Sequence, residues 1–278
     1  MPPQFTSGKY IAPETSLAYD LGPNNGPPVV FIHSLGARRQ DWNVVMTEFS
    51  MSFQVFAPDL RGHGDSGRVP GGYRFTQYAE DIVPFLRDVV GEPAALIGHS
   101  LGGVVGTVIS ADHPELVTSL VAADPPLFTK LREKNDKNPY KYRERFRRAQ
   151  ELAASDMSQS ELFNLLQARS PDRPSYVSRA LARNLYKLDP DVFTLALEGR
   201  KQLDFEPEDL IARLERPMLL IQADPDKGAA VSVEDAEWAV SKSTFVSSLM
   251  IEGSSHEIHH SHRAEFIEAT RSFISGEA

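Results

Sequence analysis

Three side chains in this sequence are spaced for acyl transfer: a serine between glycines, a carboxylate beyond it, and a histidine near the C-terminus. Ser100 lies in Gly98-His99-Ser100-Leu101-Gly102, directly after the apolar run Ala94 to Ile97 and directly before a helical pattern. A strand, a sharp turn and a helix in that order present a hydroxyl on a strained bend, and the flanking glycines let the backbone pass closely. The bare G-x-S-x-G pattern recurs by chance, so it is this context that makes Ser100 a candidate nucleophile. His99, within the motif, reads as packing beneath the turn.

A nucleophilic serine needs a base. His256 stands five residues after Ile251, behind Glu252-Gly253-Ser254-Ser255, where a base following the last strand is expected. His259, His260 and His262 read as solvated or packing residues. A rival use of the same residue exists: His256-Glu257-Ile258-His259-His260 satisfies H-E-x-x-H, in which two imidazoles one helical turn apart bind zinc. A zinc peptidase also needs a third ligand and a supporting domain, whereas only 18 residues follow His260 (278 minus 260). The serine reading is therefore preferred, with no metal and no cofactor.

The third member must be a carboxylate that orients the imidazole. Asp124 ends an apolar run 24 residues beyond Ser100 (124 minus 100) and precedes Pro125-Pro126. Asp224 and Asp226 follow Met218 to Ile221. Asp124 is favoured, because Asp224-Pro225-Asp226-Lys227-Gly228 also reads as a solvated turn; Asp226 or Asp224 is the alternative. Developing negative charge further requires backbone N–H donors. Leu101, the residue after the nucleophile, supplies one, and the loop His33-Ser34-Leu35-Gly36 after the run Val29 to Ile32 suits the second.

These residues need elements to hold them. Apolar runs at Val29 to Ile32, Gln54 to Ala57, Ala94 to Ile97, Leu120 to Ala123, Met218 to Ile221 and Phe245 to Ile251 predict strands. Several lack period-two alternation, which predicts burial on both faces, as in a parallel sheet. Helical patterns lie between them at Thr76 to Val90, Leu101 to His113, Asp235 to Ser241 and Ala264 to Ile274, predicting an α/β fold. From residue 129 to 215 only helical patterning appears, including a capping box at Ser158 and Glu161. The expected organisation is a core of 1–128 and 216–278 with a helical insertion at 129–215. Lys130 to Arg148 holds nine Lys or Arg against three Asp or Glu, read chiefly as a solvated face and alternatively as a lure for an acidic substrate.

Phe31-Ile32-His33-Ser34-Leu35-Gly36, Asp59-Leu60-Arg61-Gly62-His63-Gly64-Asp65-Ser66 and Gly98-His99-Ser100-Leu101-Gly102-Gly103 together resemble the α/β-hydrolase superfamily. The resemblance covers the chain outside the insertion. It implies a mostly parallel central sheet flanked by helices with an inserted helical cap, the Leu35 amide as second oxyanion donor, and Asp59 to Gly67 as a structural loop. Gly253-x-x-His256 is similar to the family's turn before its final helix. In an esterase and lactonase branch the acid follows the strand after the nucleophile helix, a spacing like that of Asp124. The chain departs from the family in carrying Ser34 where glycine is usual, which puts a hydroxyl beside the oxyanion loop.

Composition narrows the substrate. A formal charge of -9, from 29 Lys and Arg against 38 Asp and Glu, argues against nucleic acid or anionic lipid as partners and favours small molecules. There is no cysteine, so thiolate chemistry and disulfides are excluded. No apolar run approaches a membrane span and the N-terminus lacks a secretory pattern, so a cytoplasmic protein is expected. The expected reaction is hydrolysis of a carboxylic ester or lactone through an acyl-enzyme. Alternatives are thioester or carbon-carbon bond hydrolysis on the same triad and, in another class, non-catalytic binding of a small ligand. Trp42, Phe128, Phe163 and Tyr186 are candidate pocket lining, each read first as core.

Overall fold

The computed structural model describes residues 4–127, 140–198 and 204–276. Phe128 and the opening of the basic 130–148 segment lie outside the described residues. Eight strands form one sheet: β1 (Thr6–Ile11), β2 (Ser16–Leu21), β3 (Pro28–Ile32), β4 (Gln54–Pro58), β5 (Ala94–His99), β6 (Val117–Ala123), β7 (Met218–Gln222) and β8 (Val246–Met250). Their order is β1-β2-β4-β3-β5-β6-β7-β8. β1 and β2 pair antiparallel, as do β2 and β4, and every later pairing is parallel. The six expected strands are all present. β1 and β2 were not expected, because they are polar and partly exposed and carry no continuous apolar run.

Successive side chains of a strand point to opposite faces, and here both faces are covered. Val30, Ile32, Leu96, Leu120 and Leu220 belong to one core cluster, whereas Val29, Phe31, Ile97, Val121 and Ile221 belong to the other. That is why these strands read as unbroken apolar runs. The helices are α1 (Asn43–Phe49), α2 (Phe75–Phe85), α3 (Leu101–Asp112), α4 (Tyr140–Ala153), α5 (Gln159–Arg169), α6 (Ser175–Lys187), α7 (Thr194–Leu197), α8 (Pro207–Ala212), α9 (Val233–Lys242), α10 (Ile258–Ser261) and α11 (Arg263–Ile274). Buried residues of α2, α3 and α9 complete the first cluster; those of α1, α10 and α11 complete the second. The predicted helix at Thr76 to Val90 is α2 continued by a π-helical turn, Leu86–Val90, that Gly91 closes at φ 79°.

Between β6 and β7 the described residues are helical and loop only. α5 begins with the expected capping box: Ser158 Oγ accepts from the Glu161 amide at 3.3 Å, and a Glu161 carboxylate oxygen accepts from the Ser158 amide at 2.8 Å. Phe146 of α4 stacks on Phe193, with 5.4 Å between ring centroids.

The loop following β4 is fixed by ions taken out of water. Arg61 is fully buried, donates to both Asp81 carboxylate oxygens at 2.6 and 2.7 Å and to the Gly72 carbonyl at 3.0 Å, and so ties the loop to α2. Asp59, also fully buried, accepts from the backbone amides of Arg39 and Asp65 at 2.7 and 2.9 Å and from the Arg39 guanidinium. Breaking a buried pair strands the remaining charge, which costs far more than the intact pair contributes. Asp81→Ala is therefore expected to lower the free energy of unfolding by about 3–5 kcal/mol, measurable by urea denaturation. A loss below 1 kcal/mol would show that Glu14, 3.3 Å from the Arg61 guanidinium, or water compensates the charge.

Candidate active site

β5 ends at His99, and the chain turns into α3 through Ser100, whose φ of 51° and ψ of -113° are strained for a residue with a side chain. Such a conformation costs on the order of 1–3 kcal/mol and persists only where its surroundings enforce it. The glycines explain how it is enforced. A Cβ on Gly98 would lie 2.2 Å from the Gly102 carbonyl oxygen, and one on Gly102 would lie 2.1 Å from that of Ile32. The turn is thus pressed on itself and against the end of β3, which brings the loop at 33–36 beside the N-terminus of α3. Leu101 is the first residue of α3, where backbone amides are left without helical partners and attract negative charge.

His256 Nδ1 lies 2.7 Å from Asp124 Oδ2. The carboxylate is fully buried at the end of β6 and also accepts from the backbone amides of Ala230 and Val231 at 2.6 and 2.8 Å. The Ser100 amide donates to the Ala123 carbonyl at 2.8 Å, so the serine and the aspartate leave adjacent strands side by side. Asp124 adopts φ 44°, the second positive value at a described non-glycine residue, with its amide on the Ile221 carbonyl at 2.8 Å. The alternative carboxylates stand elsewhere. Asp226 is exposed, and Asp224 accepts from the amides of Asp226 and Gly253, both at 2.8 Å, which shapes the turn ahead of His256.

Two further histidines, unassigned by sequence, hold the loop at 33–36. His63 Nε2 accepts from the Gly36 amide at 3.1 Å, and His33 Nε2 accepts from the Leu60 amide at 2.9 Å. An accepting nitrogen carries no proton, so each ring keeps its proton on Nδ1, donated to the Arg61 and Ser34 carbonyls, both at 2.8 Å. Burial drives both toward the neutral form, His33 down to about 4 and His63 to about 3. His99 lies beneath the turn as expected, 1 % exposed, and Nε2 faces the His256 carbonyl at 2.8 Å. Its basicity is also pushed well down, first by burial. No pattern within one segment links the Nε2 atoms of these rings to their partners, which lie 27 residues away for His33 and His63 and 157 for His99.

The H-E-x-x-H geometry is not formed. His256 and Glu257 precede α10, and His256 and His260 bind different carboxylates, Asp124 and Asp41. Trp42 is fully buried core, Tyr186 is exposed, and Phe163 carries Arg179 over its ring at 4.9 Å. Arg145 of α4 meets Glu257, next to His256, at 3.2 Å; Arg147 and Arg148 pair with Glu144 on their own helix. No helix among the described residues is long and apolar enough to cross a membrane.

A family model described as alpha/beta hydrolase fold matches residues 27–262. The 2-(acetamidomethylene)succinate hydrolase of Mesorhizobium japonicum (strain LMG 29417 / CECT 9101 / MAFF 303099) is 36% identical over 100 residues, 36% of this chain and 36% of that protein. A bifunctional esterase/perhydrolase of Acinetobacter calcoaceticus is 32% identical over 124 residues, 43% of this chain and 45% of that protein. The chain therefore matches less than half the length of either curated relative. The crystal structure of E-2-(acetamidomethylene)succinate hydrolase superposes with a TM-score of 0.76 at 22% identity, covering 98% of this chain and 100% of that one, which is a likeness of fold.

The buried neutral imidazoles give stability a pH dependence. An unfolded histidine takes up a proton near its ordinary value of 6.5, whereas burial keeps folded His33 and His63 neutral down to about 4 and about 3. The unfolded state thus binds more protons in this window, and stability falls as pH drops from about 6.5 toward 4. His260, raised by its hydrogen bond to Asp41, works in the opposite direction as a single group. Urea midpoints measured between pH 7.5 and 4.5 should fall with acidification, less steeply in His63→Gln. A midpoint that rises on acidification would mean that these rings are charged in the folded protein.

Proposed function

This chain belongs to the α/β-hydrolase fold family, and on that premise we propose that it is a serine hydrolase that cleaves a carboxylic ester or lactone. Ser100 Oγ attacks the carbonyl carbon while His256 accepts its proton. Asp124 holds the imidazole in the Nδ1–H tautomer and stabilises it when charged. The Leu35 and Leu101 amides receive the oxyanion. The imidazolium then protonates the leaving alcohol, and water, deprotonated by the same imidazole, releases the acid and restores Ser100.

The observation that carries this reading is the 2.7 Å contact between His256 Nδ1 and a fully buried Asp124, with Ser100 strained on the neighbouring strand end. Asp124 is already bonded to two amides, which supports an ionised carboxylate that orients rather than reacts. A cap at 129–215, over a core of 1–128 and 216–278, fits the same picture. Phe193 Cζ comes within 3.6 Å of the Cβ position of Gly36, and Arg145 reaches the residue after His256.

A second reading on the same triad is hydrolysis of a carbon-carbon bond beside a ketone or of a thioester, and the 2-(acetamidomethylene)succinate in the name of a relative 36% identical over 100 residues supports a small acidic substrate.

A fluorophosphonate probe should label the native protein and leave Ser100→Ala unlabelled. Asp124→Asn is expected to lower kcat about ten-thousandfold on esters or lactones, the scale of a wrong-tautomer imidazole, while Asp226→Asn has little effect. Esters and lactones left intact by a labelled enzyme would favour the second reading. A native protein that does not label would favour non-catalytic ligand binding.

A further inference from the structure

A second convergence of ionisable side chains lies beyond His99, outside the machinery assigned above. Asp41, in the 3-10 turn Arg39–Trp42 after β3, faces two consecutive histidines of α10. His259 Nε2 stands 3.1 Å from Asp41 Oδ2, and His260 Nε2 stands 2.9 Å from Asp41 Oδ1. One ligand atom from each residue lies within 4.8 Å of the others. We propose that Asp41, His259 and His260 bind one divalent first-row transition-metal ion, Zn2+, Co2+ or Ni2+.

The distances suit an ion of that size. Bonds of about 2.0–2.1 Å to imidazole nitrogen and 2.0–2.2 Å to carboxylate oxygen, arranged tetrahedrally, separate ligand atoms by about 3.3 Å. The 3.1 and 2.9 Å contacts go to different oxygens of Asp41, and the ligand atoms, all within 4.8 Å of one another, close to that spacing through side-chain rotation at the half-exposed His260. Two imidazoles and one carboxylate leave a fourth position for water, as in open zinc sites, and exclude the all-oxygen surroundings that Ca2+ or Mg2+ require. The site has one rigid wall and one open side. His259 is 1 % exposed and lies between Trp42, at 4.4 Å between centroids, and Phe266, at 6.1 Å, whereas the His260 side chain is 51 % exposed and gives the ion its way in. Two hydrogen bonds give way on binding: the ion takes the Nε2 lone pairs, and each Nε2 proton passes to Nδ1 or to solvent.

The ion would join the turn after β3 to the turn after His256. His259 also packs on His99 at 4.7 Å, and His99 packs on His256 at 4.8 Å. Occupancy therefore stiffens the backbone that carries the base without touching it. The position differs from that implied by H-E-x-x-H, since His256 is not a ligand and Glu257 is not a base.

Full-length protein stripped with a chelator and titrated calorimetrically with Zn2+ should take up one ion, with a rise in Tm. Co2+ should give the visible absorption of a low-coordinate nitrogen and oxygen site. His260→Gln, a change at a half-exposed side chain, and Asp41→Asn should each weaken binding at least tenfold, while His256→Ala keeps it. Retained binding in His256→Ala separates this site from the triad, so it stands or falls independently of the hydrolase reading. Absence of saturable uptake by the native protein, uptake unchanged in both His260→Gln and Asp41→Asn, or uptake lost in His256→Ala would each overturn the proposal.

Discussion

The contact on which the site depends is the one between a buried carboxylate and a half-shielded imidazole at the C-terminal ends of two different segments. Burying Asp124 completely would be costly for a lone carboxylate. Two backbone amides and the imidazole satisfy it instead. These three donors come from two places, the Ala230–Val231 turn after β7 and the turn after β8. The same group that orients His256 therefore fastens both turns to the end of β6. The positive φ at Asp124 follows from this, because the side chain must turn back over the sheet to meet donors from the next two strands. Strain at Ser100 is maintained in a comparable way, by glycine contacts that leave no room for a relaxed turn.

The opposite side of the site is held by a buried ion pair and a neutral imidazole. α2 holds Arg61 through Asp81, Arg61 holds the loop after β4, His63 of that loop holds the Gly36 amide, and Gly36 follows Leu35. A charged ring at position 63 could not accept from Gly36, so its suppressed basicity is a condition for loop geometry. On the proposed hydrolase reading, a chain of this kind would set the direction of an amide through a neutral ring, leaving the α3 N-terminus to favour negative charge. The unequal treatment of histidines is consistent throughout. His33 and His63 are buried between backbone groups and His99 is buried against the His256 carbonyl, whereas the His256 side chain keeps 19 % exposure.

Parts of this arrangement were legible in the sequence because they depend on local rules. Strands buried on both faces must be apolar throughout, so β3 to β7 announced themselves; the glycines at 98 and 102 are required by a close approach that few other turns demand. β1 and β2 escaped notice because Lys9, Tyr10 and Tyr19 only partly cover the edge of the sheet and make no apolar run. α1 was missed because its seven residues are too few for a 3.6-residue period to show. The roles of His33, His63 and His99 were hidden for another reason. Each faces a backbone partner distant in the chain, and a pairing of that type leaves no mark on residue spacing. Asp41 with His259 and His260 is the extreme case, spanning 218 and 219 positions.

The helices between β6 and β7 are anchored where this logic would require. Asp189 accepts from the Tyr73 hydroxyl at 2.6 Å and donates its amide to the Gly62 carbonyl at 2.8 Å, and Arg68 donates to the Leu188 carbonyl at 3.2 Å. Gly62, Arg68 and Tyr73 all lie in the chain between β4 and α2, whose first turn also carries His63. Residues 188–193 thus take their position from the connection that aims the Gly36 amide, and Phe193 faces the position a Gly36 side chain would occupy. α5 and α6, which precede these residues in the chain, bury fewer side chains. Leu162 is the one buried side chain of α5, and Ser178 and Ala182 are those of α6. These helices are therefore tied most closely beside Gly36 and bury few side chains at α5 and α6.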